Sequence, residues 1–284
     1  MAYLNVEFFS DVLKMSMTMG VILPQKTDWQ IGMKGCAGDG KYKTMYLLHG
    51  MSDDQSIWMR RTSIERYVSE LGIAVVMPTT HLGWYTNTTY GLKYWDFISK
   101  ELPAICRQFF PNMSDKKEDT LAAGLSMGGY GAWKLALGAN DTFGAAASLS
   151  GAIDMATHLV EKEAEEDDTE KAFWTGVFGS PEQMKGSEND LWALAAKLKK
   201  EEKTLPRLFA WCGKQDFLYK DNVKLFKSTP EGNRLVKIMN VNLTPETGLG
   251  RYIYSFSCDA IEIAKPSVEN LLEYKIQTDM MEIG

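Results

Sequence analysis

The chain has 284 residues, of which 45% are hydrophobic, 11% aromatic and 24% charged. This composition indicates a folded protein with a large apolar core and excludes a disordered or fibrous chain. The net charge of -6 argues against nucleic acid or an anionic membrane surface as the main partner and leaves neutral or cationic small molecules open. Because no linker-like stretch divides the chain, residues 1–284 are predicted to form a single domain.

The first ten residues include an acid, Glu7, where a signal peptide has a basic region, and no apolar run reaches the length of a membrane span. Four cysteines, at positions 36, 106, 212 and 258, lie far apart without C-x-x-C spacing. The sequence therefore predicts a cytoplasmic protein with reduced thiols, no metal, no cofactor and no membrane partner.

Short apolar strands alternate with amphipathic helices from about Lys43 onward, which predicts an α/β fold with a mostly parallel central sheet and helices on both faces. The predicted strands cover residues 4–9, 15–23, 44–48, 73–77, 120–123, 143–149, 208–212 and 235–241, the first two forming an antiparallel hairpin. The predicted helices cover residues 62–71, 95–110 and 129–137.

The pattern changes between residues 152 and 205, which are predicted to form a small cap-like insertion over the carboxyl edge of the sheet. An acidic run over residues 161–168 is typical of a solvated helix face. The aromatic residues Phe173, Trp174 and Phe178 follow it, and either line an acyl or aryl pocket or pack in the core.

Residues 124–128 read Gly-Leu-Ser-Met-Gly, a G-x-S-x-G pattern between a predicted strand and a predicted helix. Such a strand-turn-helix unit forms a nucleophile elbow, in which the two glycines allow a sharp turn and the serine stands at a helix N-terminus that favours developing negative charge. Ser126 is therefore the candidate nucleophile.

Acyl transfer by a serine also needs a base, an acid that orients the base, and two N–H donors for the oxyanion. Asp216 follows a later strand and is the candidate acid, although a helix N-cap explains it too. The N–H groups of Met127 and Met51 are the candidate oxyanion donors. His49, just before Met51, is interpreted as a structural hydrogen-bonding residue because it precedes the nucleophile in the chain.

The motifs His49-Gly50-Met51-Ser52, Gly83-Trp84-Tyr85-Thr86-Asn87, the elbow, residues 176–179 (Gly-Val-Phe-Gly) and residues 211–219 occur in an order that resembles the esterase D family. The closest resemblance is to bacterial tributyrin esterases, which acetyl- and feruloyl-ester hydrolases of carbohydrate esterase family one also resemble. It extends from about Tyr3 to Tyr219. It implies an α/β-hydrolase fold and metal-free serine ester hydrolysis, with Ser126 as nucleophile and Asp216 as acid.

The chain departs from the family pattern at the catalytic histidine. The chain has only His49, His81 and His158, all upstream of Asp216, and Tyr252 stands where the family has its histidine. A phenol with its ordinary pKa near 10 is protonated at pH 7 and is a poor base. Three explanations stay open: a tail that has drifted or is read out of frame after about Pro230, a pseudoenzyme, or a recruited histidine, for which His81 is the candidate.

The leading hypothesis is a serine carboxylic-ester hydrolase that acts on short-chain acyl or aryl esters, impaired by the missing histidine. The alternatives are a catalytically inactive binding protein on the same fold and a thioesterase of the S-formylglutathione hydrolase type. Trp58, Trp84 and Tyr85 are candidate pocket walls, with core packing as the competing interpretation. The expected partner is a small-molecule ester, and homo-oligomerisation is left open.

Overall fold

The computed structural model describes residues 1–32, 35–38, 40–164, 167–213 and 215–222, and the backbone of 236–239. Within these residues, eight strands form one sheet in the order β1-β2-β4-β3-β5-β6-β7-β8. The strands are β1 (Ala2–Ser10), β2 (Met15–Leu23), β3 (Thr44–Leu48), β4 (Ala74–Pro78), β5 (Thr120–Leu125), β6 (Ala145–Leu149), β7 (Arg207–Trp211) and β8 (Val236–Met239). β1 and β2 pair in antiparallel fashion, β2 pairs antiparallel with β4, and the pairs from β4 to β8 are parallel. The predicted α/β architecture is confirmed.

The central strands are apolar on both faces, as expected for a parallel sheet that helices cover on either side. In β3, Met45 and Leu47 join one core cluster whereas Tyr46 and Leu48 join the other. This alternation follows from the two-residue side-chain period of a strand.

The helices are α1 (Ile57–Arg61), α2 (Ile64–Val68), α3 (Tyr94–Asp96), α4 (Leu102–Phe109), α5 (Met127–Gly138), α6 (Met155–Glu163), α7 (Asp168–Phe178), α8 (Pro181–Met184) and α9 (Leu191–Lys200). The buried side chains of α1 and α2 pack on one face of the sheet, and those of α3, α4, α5 and α9 pack on the other. The strands thus lie between two helical layers.

Two helical regions differ from the sequence prediction. The helix predicted over residues 62–71 is shorter, because α2 covers only Ile64–Val68, and α1 precedes it without having been predicted. The helix predicted over residues 95–110 is present, but a π-helical turn at Phe97–Glu101 separates α3 from α4. Periodicity locates such segments and does not distinguish a π turn from an α turn.

The segment 152–205, predicted as a cap-like insertion, contains α6 to α9 and connects β6 to β7. Its last helix, α9, packs against α5. The acidic run includes Asp167, whose carboxylate accepts hydrogen bonds from the backbone N–H groups of Thr169 and Glu170 and caps α7. The cap-like role of the segment and the single-domain boundary stay predictions.

Because β3 to β7 are parallel, their carboxyl ends meet at one edge of the sheet. The loops that leave this edge begin at residues 49, 79, 126, 150 and 212. These loops and the first residue of α5 carry every described residue that the sequence assigns to the catalytic machinery.

Candidate active site

Ser126 occupies the sharp turn between β5 and α5, with φ 55° and ψ −117°. A positive φ is sterically unfavourable for a serine, and such strain persists only where the surroundings fix the backbone. Here the N–H of Ser126 donates to the carbonyl of Leu149 (3.0 Å), and its carbonyl accepts from the N–H of Ala152 (3.2 Å). The strand-turn-helix geometry expected of a nucleophile elbow is therefore present, anchored to the end of β6.

The two glycines of the pentapeptide leave no room for a side chain. A Cβ on Gly124 would collide with the carbonyl oxygen of Gly128, and a Cβ on Gly128 would collide with the carbonyl oxygens of Leu48 and His49. The elbow can therefore pack directly against the end of β3 only when both positions are glycine.

The loop after β3, residues 49–52, lies beside the nucleophile. A Cβ on Gly50 would lie 3.7 Å from the Cβ of Ser126. Within the described residues, neither Met51 nor Met127 donates its backbone N–H to another group. Met127 is the first residue of α5, where N–H groups have no partner inside the helix. The placement fits the predicted oxyanion donors, whose role stays a prediction.

A carboxylate borders this loop. Asp53 Oδ2 lies 3.8 Å from the position of a Cβ on Gly50, and its Oδ1 lies 3.6 Å from Arg61. Burial raises the pKa of Asp53, while the Arg61 guanidinium acts in the opposite direction. Arg61 therefore offsets part of the repulsion that this carboxylate would exert on an oxyanion formed at Ser126.

His49 is fully buried, and both of its ring nitrogens are occupied. Nδ1 lies 2.7 Å from the carbonyl oxygen of Gly50, and Nε2 lies 3.0 Å from the backbone nitrogen of Thr80. Because a carbonyl only accepts and an N–H only donates, these partners assign a neutral ring with its proton on Nδ1. Burial lowers the pKa of His49 to about 4. The lone pair of Nε2 is already used, so His49 cannot take the proton of Ser126, in agreement with its structural interpretation.

Asp216 lies in the turn after β7 and is held by two hydrogen bonds. Its Oδ2 accepts from the hydroxyl of Ser150 (2.6 Å), and its Oδ1 accepts from the N–H of Leu218 (2.8 Å). Ser150 in turn donates its N–H to the carbonyl of Trp211 (2.7 Å). Asp216 is thus fixed at the same sheet edge as Ser126, two strands away, and its catalytic role stays a prediction.

Within the described residues, neither of the other two histidines is bonded to the nucleophile. His81 is exposed with φ 49°, and its Nδ1 lies 3.2 Å from the hydroxyl of Tyr94. His158 packs edge-on against Trp174 in the segment 152–205. Ser126 Oγ makes no hydrogen bond to a histidine in the part of the chain that the structure describes. Tyr252 lies outside the described residues.

The three predicted pocket residues are buried rather than lining an open cleft. Trp58 donates its ring N–H to the carbonyl of Leu48 (3.2 Å), and Tyr85 donates its hydroxyl to the carbonyl of His49 (2.8 Å). Trp84 packs in an aromatic cluster with the rings of Tyr130, Trp174 and Phe178. These contacts favour the packing interpretation for all three. Trp58 and Tyr85 also bind the carbonyls of Leu48 and His49, where β3 passes into the loop of residues 49–52, hereafter the oxyanion loop after its predicted donor Met51.

Two residues that contact the loops of this edge were not identified from the sequence. Ser150 holds Asp216, and its signal is a small polar residue directly after a predicted strand. Lys134 lies fully buried in α5, and its signal is a single charge in a helix that is otherwise apolar on all sides.

Among the described residues, no group of three or more histidine, cysteine, aspartate or glutamate side chains has the arrangement of a metal site. In the same residues, no helix combines the length and the apolar character of a membrane-crossing segment.

Comparison with known proteins shows the family of the chain. A family model described as Esterase matches residues 10–247. An acetyl esterase of Caldicellulosiruptor saccharolyticus is 31% identical over 228 residues, which are 80% of this chain and 85% of that protein.

Two solved structures from Staphylococcus aureus are similar over nearly the whole chain. The fluorophosphonate-binding serine hydrolase FphF, solved with substrate, superposes with a TM-score of 0.77 at 32% identity, covering 96% of this chain and 99% of that one. The S-formylglutathione hydrolase FrmB superposes with a TM-score of 0.75 at 33% identity, with the same coverage.

Proposed function

This chain belongs to the Esterase family and is a carboxylesterase-type serine hydrolase, and from that premise we propose that it cleaves short-chain acyl or aryl esters through an acyl-enzyme on Ser126. The observation that carries the proposal is the strained backbone of Ser126 at the start of α5, beside the N–H groups of Met51 and Met127. The acetyl esterase relative supports a short acyl group.

In the proposed reaction, Ser126 Oγ attacks the carbonyl carbon of the ester while its proton passes to a base. The N–H groups of Met51 and Met127 stabilise the oxyanion of the tetrahedral intermediate. The intermediate collapses by breaking the bond to the alcohol oxygen, which takes a proton and leaves. Water then adds to the acyl-enzyme, and breakage of the bond to Ser126 Oγ releases the carboxylic acid and restores the serine.

The base is the incomplete part of this machinery. His49 is excluded because both ring nitrogens are engaged, and the proposal retains His81 and Tyr252 as the positions to test. Loss of a triad member still leaves roughly 10³- to 10⁴-fold catalysis over water from the oxyanion hole and substrate binding. We therefore expect measurable but reduced turnover of activated esters if no histidine serves Ser126.

Thioester hydrolysis of the S-formylglutathione type is the second candidate activity. It is supported by the similarity to FrmB, which at 33% identity is as strong as the similarity to FphF. Both activities would use the same serine and oxyanion donors, so the substrate series must include both ester types. The cytoplasmic location and the oligomeric state stay predictions.

The test is steady-state hydrolysis of para-nitrophenyl acetate, para-nitrophenyl butyrate and S-formylglutathione by the wild-type chain and four variants. Ser126→Ala should abolish hydrolysis. Tyr252→His should raise turnover by orders of magnitude if the family's base position is vacant. His81→Ala should abolish turnover if His81 is the recruited base, with His158→Ala as the matched control. A folded wild-type protein that neither hydrolyses these substrates nor reacts with a fluorophosphonate would contradict the proposed function.

A further inference from the structure

Lys134 is a fully buried cation in the helix that begins directly after the nucleophile. It lies eight residues after Ser126, about two helical turns along α5. An isolated ammonium in a protein interior is costly, so its retention requires compensating partners.

The ammonium has three acceptors for its three N–H bonds. Nζ donates to the carbonyl of Tyr85 (3.2 Å), the hydroxyl of Thr86 (3.0 Å) and the side-chain oxygen of Asn189 (2.6 Å). It also lies 4.6 Å from the centre of the Trp95 ring. Only the protonated form can satisfy all three acceptors, because a neutral amine has two N–H bonds.

The titratable groups around Lys134 come from three elements. Asp96 of α3 and Glu188 of the loop before α9 favour the charged form, and the Tyr130 ring of α5 lies 5.9 Å from the ammonium. Burial is the larger influence and lowers the pKa of Lys134 to about 7. The protonation state of this side chain therefore changes within the pH range in which esterases are assayed.

The contacts of Lys134 lead to the oxyanion loop. Tyr85, whose carbonyl accepts from Lys134, donates its hydroxyl to the carbonyl of His49 (2.8 Å), one residue before Gly50. The Tyr85 ring packs against Gly131 so closely that a Cβ there would collide with it. The loop that carries Tyr85 is thus held against α5 at two points. The Tyr85 ring packs on Gly131, and the Tyr85 carbonyl accepts a hydrogen bond from Lys134.

The same contacts hold the segment 152–205. Asn189, just before α9, accepts from Lys134 and from the Thr86 hydroxyl through its side chain. Its backbone carbonyl accepts from the hydroxyl of Tyr130 (2.7 Å). One cation therefore joins the loop after β4, the loop before α9 and the nucleophile helix.

We propose that Lys134 is a positioning residue for the ester hydrolysis, which sets the oxyanion loop against the nucleophile through Tyr85 and fixes the segment 152–205 through Asn189. The inference rests on the proposed function of Ser126 and its oxyanion donors. It assigns Lys134 no contact with substrate.

The measurement is the rate of phosphonylation of Ser126 by a fluorophosphonate, resolved into a maximal rate and a half-saturating concentration. Lys134→Met keeps the length and apolar packing of the side chain and removes all three donors. Complete loss of one oxyanion donor costs roughly 10²- to 10³-fold in rate, so a displaced donor is expected to cost about tenfold or more. The half-saturating concentration should stay within about twofold, because Lys134 does not touch the reagent.

The matched control is Lys100→Met, which removes the same charge from an exposed side chain that also pairs with Asp96 (2.7 Å). It should react at the wild-type rate. The ratio of the wild-type maximal rate to that of Lys134→Met should fall as the pH rises through the pKa of the ammonium. Deprotonation of the wild-type side chain removes one of its three donated hydrogen bonds. A purely structural lysine would not produce this pH-dependent difference in rate between two folded proteins.

Tyr85→Phe provides a second variant if Lys134→Met does not fold. It deletes one oxygen atom, the one that links the Lys134 contacts to the His49 carbonyl, and should also lower the maximal rate. If Lys134→Met folds and reacts at the wild-type rate at every pH, the inference is overturned. If it does not fold, a wild-type rate for Tyr85→Phe at every pH overturns the inference. A wild-type protein that does not react at all refutes the proposed function instead, so the two failures are distinguishable.

Discussion

Acid should destabilise this protein through His49, and the effect can be calculated from its surroundings. In the folded chain, the ring donates from Nδ1 to the Gly50 carbonyl and accepts at Nε2 from the Thr80 N–H. A second proton on Nε2 would face that N–H and lose the bond. Burial lowers the pKa of His49 to about 4, whereas an unfolded histidine titrates near 6.5.

The sign follows from proton uptake. Between pH 6.5 and pH 4 the unfolded chain binds a proton at this residue and the folded chain does not, so the free energy of unfolding falls as the pH falls. The contribution is fully present above pH 6.5 and is lost as the pH approaches 4. Between pH 7.5 and pH 4.5 the loss amounts to about 2.5 kcal/mol for this one group.

The assay is urea unfolding at pH 7.5 and pH 4.5 for the wild type and His49→Gln. Gln retains an oxygen acceptor for the Thr80 N–H and does not titrate, so the acid-induced loss of stability should be smaller in the variant by about 2.5 kcal/mol. All other carboxylates and histidines cancel in this difference. His81→Gln, which replaces an exposed ring, should keep the wild-type loss. Equal losses in wild type and His49→Gln would refute the reasoning and reopen His49 as a titrating base.

Two further changes test the packing of the sheet edge. Gly124→Ala forces a Cβ into a backbone carbonyl and should destabilise the chain by about 1–3 kcal/mol and abolish fluorophosphonate labelling, whereas Gly38→Ala meets no atom within 4 Å and should do neither. Wild-type labelling in the first variant would mean that the elbow tolerates a wider turn. Ser150→Ala removes the hydroxyl that donates to Asp216 (2.6 Å) and should lower the free energy of unfolding by about 1–3 kcal/mol in urea titrations. Ser56→Ala removes an exposed bond of the same kind and length and should cost under about 1 kcal/mol, so equal costs would contradict the role given to burial at Ser150.

The fold was predictable because its signals are local. The central strands are continuous apolar runs, each bounded by turn residues. β2 and β3 begin and end at the predicted residues. The unpredicted helix α1 has only five residues, one turn and a half, which is too short to produce a periodic pattern. The π turn before α4 has no signature of its own in the sequence.

The site was predictable where backbone geometry dictates residue type. Gly124 and Gly128 are required by contacts with backbone carbonyls, so their pattern predicts the sharp turn at Ser126. Ser150 and Lys134 carry no such constraint, since their roles depend on partners 66 and about 50 residues away in the chain. Pairings of that kind arise only when the strands and loops are assembled, which is why sequence spacing did not reveal them.

The departure from the family pattern therefore concerns a single function, proton transfer. The described parts that the proposal assigns to the oxyanion are the strained Ser126, the N–H groups of Met51 and Met127 without partners among the described residues, and the support of the oxyanion loop by Tyr85. These parts act without a base and account for the larger share of what remains when a triad member is lost.

A scaffold of this kind can be distinguished from a relaxed, non-catalytic one by its strain. Holding Ser126 at positive φ costs on the order of 1–3 kcal/mol, which a binding protein would not need. Gly124 and Gly128 allow the close backbone contacts around this turn. The strain at Ser126 thus supports the proposed acyl transfer over binding alone. A restored imidazole at position 252 should consequently increase turnover rather than merely alter binding, and an increase in affinity alone would contradict this argument.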